Sequence, residues 1–313
     1  MPASADSPIK PQVKKIDGLS IRYAESEPRE VSAILLSPWP ESLYTFEQMW
    51  SRLAEHAHLV AIDLPGFGHS QRRDELLKSS TMGEFVAHAV EAFELTRPHA
   101  IGPDIGTSTL LFTAANHPGL LRSVTVGNGT AAVPIQIGSV LKDAVDAPNL
   151  DALRQIDPHQ GVDSVLAFVE HYKLPEHVHQ DFLESYEGDR FAESIRFVRS
   201  YQDELPVLGD LLPMIQTPVQ IITGDHDPGV LPVNGQYLHE RLPAQQARPP
   251  RCRALRLGGR RRRLRPAAHR LVDRRLRAGL SHAKRGEGGR PWTDQSWFSF
   301  SCLSSSRYSW PSG

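Results

Sequence analysis

The sequence predicts an α/β fold in which a mostly parallel central sheet carries an inserted helical cap. Short apolar runs rich in β-branched residues alternate with amphipathic stretches of helical length. This alternation is typical of parallel strands joined by crossover helices. A long stretch with helical patterns and no strand pattern then follows, before the alternation resumes. We interpret that stretch as the cap.

The individual elements follow from these patterns. Six apolar runs are predicted as strands, at residues 19–23, 31–37, 59–63, 99–102, 121–127 and 217–224. The amphipathic stretches predicted as helices of the core are residues 45–56, 81–95, 107–116 and 232–242. Three further helical stretches belong to the cap, at residues 150–156, 162–174 and 191–205.

The predicted domain organisation has five segments. They are a flexible leader (1–12), a first part of the core (13–129), the helical cap (130–206), a second part of the core (207–244) and an aberrant arginine-rich tail (245–313). No alternating or helical apolar pattern continues into the tail. The final strand and helix of the sheet are therefore in doubt.

Composition narrows the class of protein. The chain has 313 residues, 40% hydrophobic and 23% charged, with a formal net charge of −1, as in soluble globular proteins. A net charge this close to zero does not predict binding to nucleic acid or to a membrane surface. The two cysteines, Cys252 and Cys302, both lie in the tail, so a disulfide framework is not expected and a reducing cytoplasm is predicted. No run has the length of a signal peptide core or a membrane span.

The segment HAIGPDIGTST, residues 99–109, carries the strongest chemical signal. A Gly-x-x-x-Gly bracket between a strand and a helix is the tight turn that presents a nucleophile in many hydrolases. The residue presented here is Asp104. A carboxylate is ionised at neutral pH and can attack a saturated carbon to form an alkyl ester. From the turn alone, Asp104 could equally be the N-cap of the following helix.

Further segments occur in a fixed order around this turn. They are SPWPESLYTFEQMW (37–50), DLPGFGHS (63–70), the helical insertion and ITGDHDPGV (222–230). Together with the Asp104 turn they resemble the α/β-hydrolase family over roughly residues 16–243. The most similar branch has an aspartate nucleophile and comprises the epoxide hydrolases and haloalkane dehalogenases. The resemblance implies a hydrolase without cofactor or metal, acting on a small apolar substrate such as an epoxide or a haloalkane.

The resemblance also assigns the acidic residues. Asp104 matches the nucleophile, and Asp227 matches the acid that orients a catalytic histidine, with Asp225 as the alternative. Asn128 stands where some dehalogenases carry that acid. Because Asn128 is an amide, it favours the assignment to Asp227.

Two backbone N–H groups are expected to form the oxyanion hole, those of Trp39 and Ile105. Ser37-Pro38 stands where the family usually has His-Gly, and Pro38 lacks an N–H, which predicts a changed loop. Ile105 replaces a tryptophan whose indole holds halide in dehalogenases. Since isoleucine donates no side-chain hydrogen bond, it favours an epoxide hydrolase.

Epoxide opening needs an acid for the ring oxygen, and in this family the acid is usually a tyrosine of the cap. The insertion contains Tyr172, Tyr186 and Tyr201, of which Tyr201 is the first choice. Each could instead be an ordinary half-buried tyrosine.

The catalytic histidine of the family is missing from the written sequence. Its expected position, near Ala254, holds RCRALRLGG, and His269 is the nearest histidine downstream. Residues 248–278 carry thirteen arginines and a single acid, Asp273. In a shifted reading frame, residues 251–255 permit Asp-Ala-Gly-His-Phe. We therefore hypothesise that the sequence is out of frame from about residue 245.

Three functional hypotheses follow. The first is a hydrolase with an Asp nucleophile, epoxide hydrolase-like, with a haloalkane dehalogenase-like enzyme as the alternative. The second is a catalytically impaired member of the family that lacks the histidine base. The third, the least favoured, is a nucleic-acid-binding protein that uses the arginine run.

Overall fold

The computed structural model describes residues 7–167, 172–224 and 227–243. These residues form a seven-stranded sheet of order β1-β2-β4-β3-β5-β6-β7. The strands are β1 (Gln12–Ile16), β2 (Leu19–Glu25), β3 (Ser32–Leu36), β4 (His58–Ile62), β5 (His99–Pro103), β6 (Ser123–Gly127) and β7 (Val219–Ile222). Strands β3 to β7 are mutually parallel, whereas β2 pairs antiparallel with both β1 and β4. The predicted α/β-hydrolase fold with a mostly parallel sheet is confirmed.

Helices connect the strands and form the insertion. They are α1 (Glu47–Ala54), α2 (Ser79–Ala92), α3 (Ile105–Asn116), α4 (Ser139–Asp146), α5 (Asp151–Arg154), α6 (Pro158–Leu166), α7 (Glu176–Ser185), α8 (Arg190–Leu211) and α9 (Val233–Arg241). Helices α4 to α7 and the first half of α8 lie in the predicted cap. Within the described residues, no helix is both long and apolar enough to cross a membrane.

The two faces of the sheet are buried against different helices. In β3, Ile34 and Leu36 join a core cluster with residues of α2, α3 and α8. The alternate residues, Ala33 and Leu35, join a second cluster with residues of α1, α6 and α7. A strand covered on both faces has a continuous apolar sequence, which explains why SAILL carries no polar alternation.

The part of the predicted leader that the structure describes packs on the core. Ile9 is fully buried in the second cluster, and Ser7 hydrogen bonds to Glu47 of α1. Strand β1 then begins at Gln12. Part of the segment predicted as a flexible leader thus packs against the core, and residues 1–6 lie outside the described residues. The short, polar QVKKI buries only Ile16, so its sequence gives no strand signal.

The predicted boundary of the cap at residue 206 falls inside a helix. Helix α8 runs without interruption from Arg190 to Leu211. It contacts the cap helices α4, α5 and α6 and also the core helices α2 and α3. Leu205 and Leu208 are fully buried in the same cluster as Phe112 of α3. The second half of α8 is therefore part of the core.

A buried group of charged residues joins the cap to the sheet. Arg22 of β2 forms hydrogen bonds of 3.0 and 2.5 Å to both carboxylate oxygens of Asp181 on α7. Arg22 also lies 3.4 Å from Asp63, which follows β4, and Ser42 donates a hydrogen bond of 2.5 Å to Asp181. Asp63 accepts hydrogen bonds from the backbone N–H groups of Leu43 and His69, so both carboxylates of this cluster are hydrogen-bonded.

Candidate functional site

The site lies where strands β3, β5, β6 and β7 end at their carboxyl edge. Asp104 directly follows β5 and precedes α3, with φ of 52° and ψ of −118°. A non-glycine residue in this region of backbone space is strained by about 1–3 kcal/mol, and such strain is concentrated at functional sites. The turn thus has the backbone form of a nucleophile elbow.

Gly102 allows the strand and the helix on either side of this turn to approach closely. A Cβ at Gly102 would lie 2.8 Å from the carbonyl oxygen of Gly106 and 2.7 Å from Leu110. Both distances are shorter than real Cβ contacts. The first glycine of the bracket is therefore required by packing, whereas a Cβ at Gly106 would make only ordinary contacts.

The Asp104 carboxylate is held by backbone N–H groups and does not cap its helix. Its Oδ2 accepts a hydrogen bond of 2.8 Å from the backbone N–H of Trp39. Ile105 N–H, at the start of α3, is a second, looser donor that lowers the pKa of Asp104. The Asp104 side chain makes no helix-capping hydrogen bond. The carboxylate is thus bound by the N–H of Trp39 across the sheet edge and does not cap α3.

The preceding proline does not remove this donor. Pro38 lacks an N–H, yet the loop after β3 still directs the N–H of Trp39 at Asp104. Ser37 is fully buried, and among the described residues its hydroxyl has no hydrogen-bond partner.

Two carboxyl groups in this region favour protonation. Burial raises the pKa of Asp104 from 3.8 to about 7, with smaller contributions from the charges of Asp227 and Glu41. Burial also raises the pKa of Glu41 from 4.5 to about 7, although a hydrogen bond from Thr45 opposes the rise. Glu41 follows Trp39-Pro40 in the oxyanion loop, and sequence reasoning did not single it out.

Asp227, the second predicted acid, is buried behind β6 and β7. One oxygen, Oδ1, accepts hydrogen bonds of 2.8 and 2.9 Å from the N–H groups of Gly229 and Val230. The other, Oδ2, accepts a hydrogen bond from the side-chain amide of Asn128. Asn128 in turn accepts one from Gly224 N–H. Asn128 therefore fixes Asp227, while the alternative acid, Asp225, lies outside the described residues.

The three candidate tyrosines occupy different environments. Tyr201 is buried in α8, where burial and the charge of Asp104 raise its pKa and a hydrogen bond with Ser108 lowers it. Ser108 also shares a 2.8 Å hydrogen bond with Ser79. Tyr186 is fully buried and donates to the carbonyl oxygen of Glu41 at 3.3 Å. The third, Tyr172, bonds to Gln48 of α1.

The Trp39 side chain connects the oxyanion loop to the cap. Its indole Nε1–H donates a hydrogen bond of 2.8 Å to Ser194 of α8. Its ring stacks on Phe191 with centroids 5.6 Å apart. No local sequence pattern predicts these contacts, because they join positions about 155 residues apart in the chain.

The predicted position of the catalytic base, near Ala254, and His269 both lie outside the described residues. Several described histidines are paired with acids elsewhere in the fold. These pairs are His58 with Glu25, His69 with Asp181, His88 with Asp17, His117 with Glu84, His177 with Glu47 and His179 with Asp163. The described residues contain no cluster of three or more His, Cys, Asp or Glu side chains placed to hold a metal ion.

Comparisons with known proteins agree with this architecture. Residues 34–253 match the family model described as alpha/beta hydrolase fold. No curated protein matches the chain. Among solved structures, a bacterial membrane phospholipase A is 24% identical, with a TM-score of 0.61 and 76% of each chain covered.

Two other similar structures carry more specific names. The epoxide hydrolase CorEH is 18% identical, with a TM-score of 0.62, covering 75% of this chain and 88% of its own. The haloalkane dehalogenase DbeA from Bradyrhizobium elkani is 15% identical, with a TM-score of 0.63, covering 76% and 88%. At these identities the likeness establishes the fold.

Proposed function

Because the chain belongs to the alpha/beta hydrolase family, we propose that it opens epoxides through a covalent ester on Asp104. The observation that carries the proposal is the position of Asp104: a strained turn presents its carboxylate, and the N–H of Trp39 holds Oδ2. A carboxylate attacks alkyl carbon directly, so the first step needs no base.

In that step one oxygen of Asp104 forms a bond to an epoxide carbon, and the ring C–O bond breaks. The ring oxygen then takes a proton. Tyr201 is the proposed donor, because it is buried on α8 near enough to Asp104 for the charge of that carboxylate to raise its pKa. Burial keeps Tyr201 protonated at neutral pH.

In the second step water attacks the ester carbon that belongs to Asp104. Negative charge develops on the oxygen held by Trp39 and Ile105, where preorganised N–H groups stabilise it. This step needs a base to activate the water. Asp227 is the acid that we propose orients such a base, but the written sequence has no histidine near Ala254. We therefore propose that the chain as written accumulates the ester and that a frame-restored chain turns over.

Halide displacement is less well supported. A halide leaving group needs N–H donors, and Ile105 has none in its side chain. The indole N–H of Trp39 already donates to Ser194. The site thus holds fewer free donors for a halide than an alkyl-halide reaction requires.

Mass spectrometry tests the proposal. The full chain is incubated with styrene oxide or with 1-bromobutane, digested and mapped, with Asp104→Asn as the control. We expect a styrene oxide adduct on Asp104 that persists, and none in the control. Release of diol without a persistent adduct would support epoxide opening and overturn the proposal that the ester accumulates. Neither adduct nor diol would overturn the nucleophile, and an adduct from bromobutane alone would favour a dehalogenase.

A further inference from the structure

Trp39 donates two hydrogen bonds in two directions. Its backbone N–H binds Oδ2 of Asp104, and its indole N–H binds the hydroxyl of Ser194, each at 2.8 Å. Asp104 belongs to the core, whereas Ser194 lies on α8 in the predicted cap. One residue therefore connects the carboxylate of the site to the helix above it.

Ser194 is well fixed as an acceptor. It is 2% exposed, and its own hydroxyl proton is donated to the carbonyl oxygen of Phe191 at 2.7 Å. The oxygen lone pairs are then left for the indole. Phe191 itself stacks on the Trp39 ring with an interplanar angle of 28°. The indole is thus held both at its N–H and on its face.

Within its own loop the backbone of Trp39 is spanned by one turn hydrogen bond, from the N–H of Glu41 to the carbonyl oxygen of Pro38 at 3.1 Å. Trp39 lies between Pro38 and Pro40, and neither proline supplies an N–H to a local hydrogen-bond ladder. An oxyanion donor must sit within a few tenths of an ångström of its working position. The side chain of Trp39 packs against both core clusters and against a third cluster, made of the cap residues Ala144, Leu150, Leu153, Ala192 and Ile195. The cap therefore holds the residue that carries the N–H.

We propose that Ser194 is a positioning residue: through the Trp39 indole, helix α8 of the cap fixes the backbone N–H that binds Asp104. For its catalytic consequence this inference rests on the proposed function. Its structural consequence, the strength of the hydrogen bond to Asp104, does not.

The test uses the full-length chain and four variants. Ser194→Ala removes the acceptor, Trp39→Phe removes the indole N–H but keeps a ring and the backbone N–H, and the double variant removes both. Ser200→Ala is the matched control, because Ser200 lies on the same helix and donates to the carbonyl oxygen of Phe197 at 2.7 Å, as Ser194 does to Phe191.

The first readout is the pKa of Asp104, measured by NMR of chain labelled with carboxyl-¹³C aspartate, with Asp104→Asn identifying the signal. A weakened Trp39 N–H bond raises the pKa of Asp104, by about half a unit if part of one neutral hydrogen bond is lost. We expect the same rise in Ser194→Ala, Trp39→Phe and the double variant, and none in Ser200→Ala.

The second readout is the single-turnover rate of styrene oxide adduct formation. At pH 7 we expect the maximal rate to fall about 2-fold in the same three variants, because a higher pKa leaves fewer Asp104 side chains ionised and able to attack, while the half-saturating epoxide concentration stays constant. Ser200→Ala should react at the rate of the parent chain.

The possible failures can be told apart. If the parent chain forms the adduct but neither pKa nor maximal rate changes in Ser194→Ala and Trp39→Phe, the positioning role is overturned and the proposed function stands. If no chain forms an adduct while the pKa of Asp104 shifts as expected, the proposed function is overturned and the positioning role of Ser194 stands. Should Ser194→Ala fail to fold, Trp39→Phe decides, because an unchanged pKa there overturns the inference.

Discussion

The backbone N–H of Trp39 and the carboxylate of Asp104 meet at 2.8 Å although 65 residues separate them in the chain. The parallel sheet brings them together, since Trp39 follows β3, Asp104 follows β5, and these strands are neighbours. Burial raises the pKa of Asp104 by more than this hydrogen bond lowers it, so that the pKa lies at about 7. The folded protein therefore holds a carboxyl group whose ionisation opposes folding.

Asp104→Asn should stabilise the protein at alkaline pH. A carboxyl with a raised pKa contributes stability that is fully present below its unfolded pKa and lost as the pH rises through the folded value. For Asp104 the window runs from 3.8 to about 7. We expect the variant to exceed the parent chain by about 2–4 kcal/mol at pH 8 and by under ~1 kcal/mol at pH 4. Urea unfolding at both pH values measures this, and a pH-independent difference would contradict it.

Asp181→Asn should destabilise the protein at neutral pH only. Burial opposes ionisation of Asp181, but hydrogen bonds from His69, Arg22 and Ser42 outweigh it and lower the pKa from 3.8 to about 2. The associated stability is present above the unfolded value and is lost as the pH falls through the folded one. We expect a loss of about 2 kcal/mol at pH 7, measured by urea unfolding, and no difference near pH 2.

A matched control for that experiment is Asp189→Asn. Asp189 pairs with Arg72, but its side chain is 57% exposed, so solvent screens the pair. Its loss should stay within about 0.5 kcal/mol at either pH. If Asp189→Asn costs as much as Asp181→Asn, the buried cluster does not anchor the cap.

The two glycines of the turn should respond differently to alanine. Gly102→Ala forces a methyl group within 2.8 Å of a backbone oxygen, and we expect a loss of about 1–3 kcal/mol or more. Gly106→Ala meets Leu36 at an ordinary 3.5 Å and lies in the first turn of α3, so it should be neutral or stabilising by up to about 1 kcal/mol. Thermal unfolding of both variants distinguishes them, and equal effects would rule out the close approach.

Asn128→Asp should make stability depend on pH around Asp227. Asn128 donates to Asp227, whereas an ionised aspartate at this position would face it with a second negative charge. Below about pH 5 the two carboxyls can share a proton and restore the bond, so the loss should be small. At pH 8 we expect a loss of about 3 kcal/mol or more. Asn128→Ala removes a hydrogen bond that lowers the pKa of Asp227 but adds no charge, so its loss in urea unfolding should grow less between about pH 5 and pH 8 than that of Asn128→Asp.

Much of the fold is predictable because its strands are buried on both faces. Short apolar runs such as SAILL and HLVAI, separated by helical stretches, are typical of buried parallel strands. The predicted and observed strands overlap at each of the six positions. Strand β1 was missed, since it lies at the edge of the sheet and buries little apolar surface. Edge strands carry weak sequence signals for this reason.

The site was predictable only where its residues follow strands. Asp104, Trp39 and Asp227 lie just beyond β5, β3 and β7, so order along the chain places them at one edge of the sheet. Ser194 gives no such signal. It is one of many serines on helices, and only the folded cap brings it to the Trp39 indole.

The continuity of α8 limits how specificity can be engineered. An exchange of caps between relatives that joins the chains at residue 206 would cut this helix and combine its halves from two parents. Such a graft would take Ser194 and Tyr201 from one parent and helix α3, against which α8 packs, from the other. A chimaera with its crossover between Leu211 and Val219 would transfer helix α8 whole, so that Ser194 and the core-facing end of the helix come from the same parent.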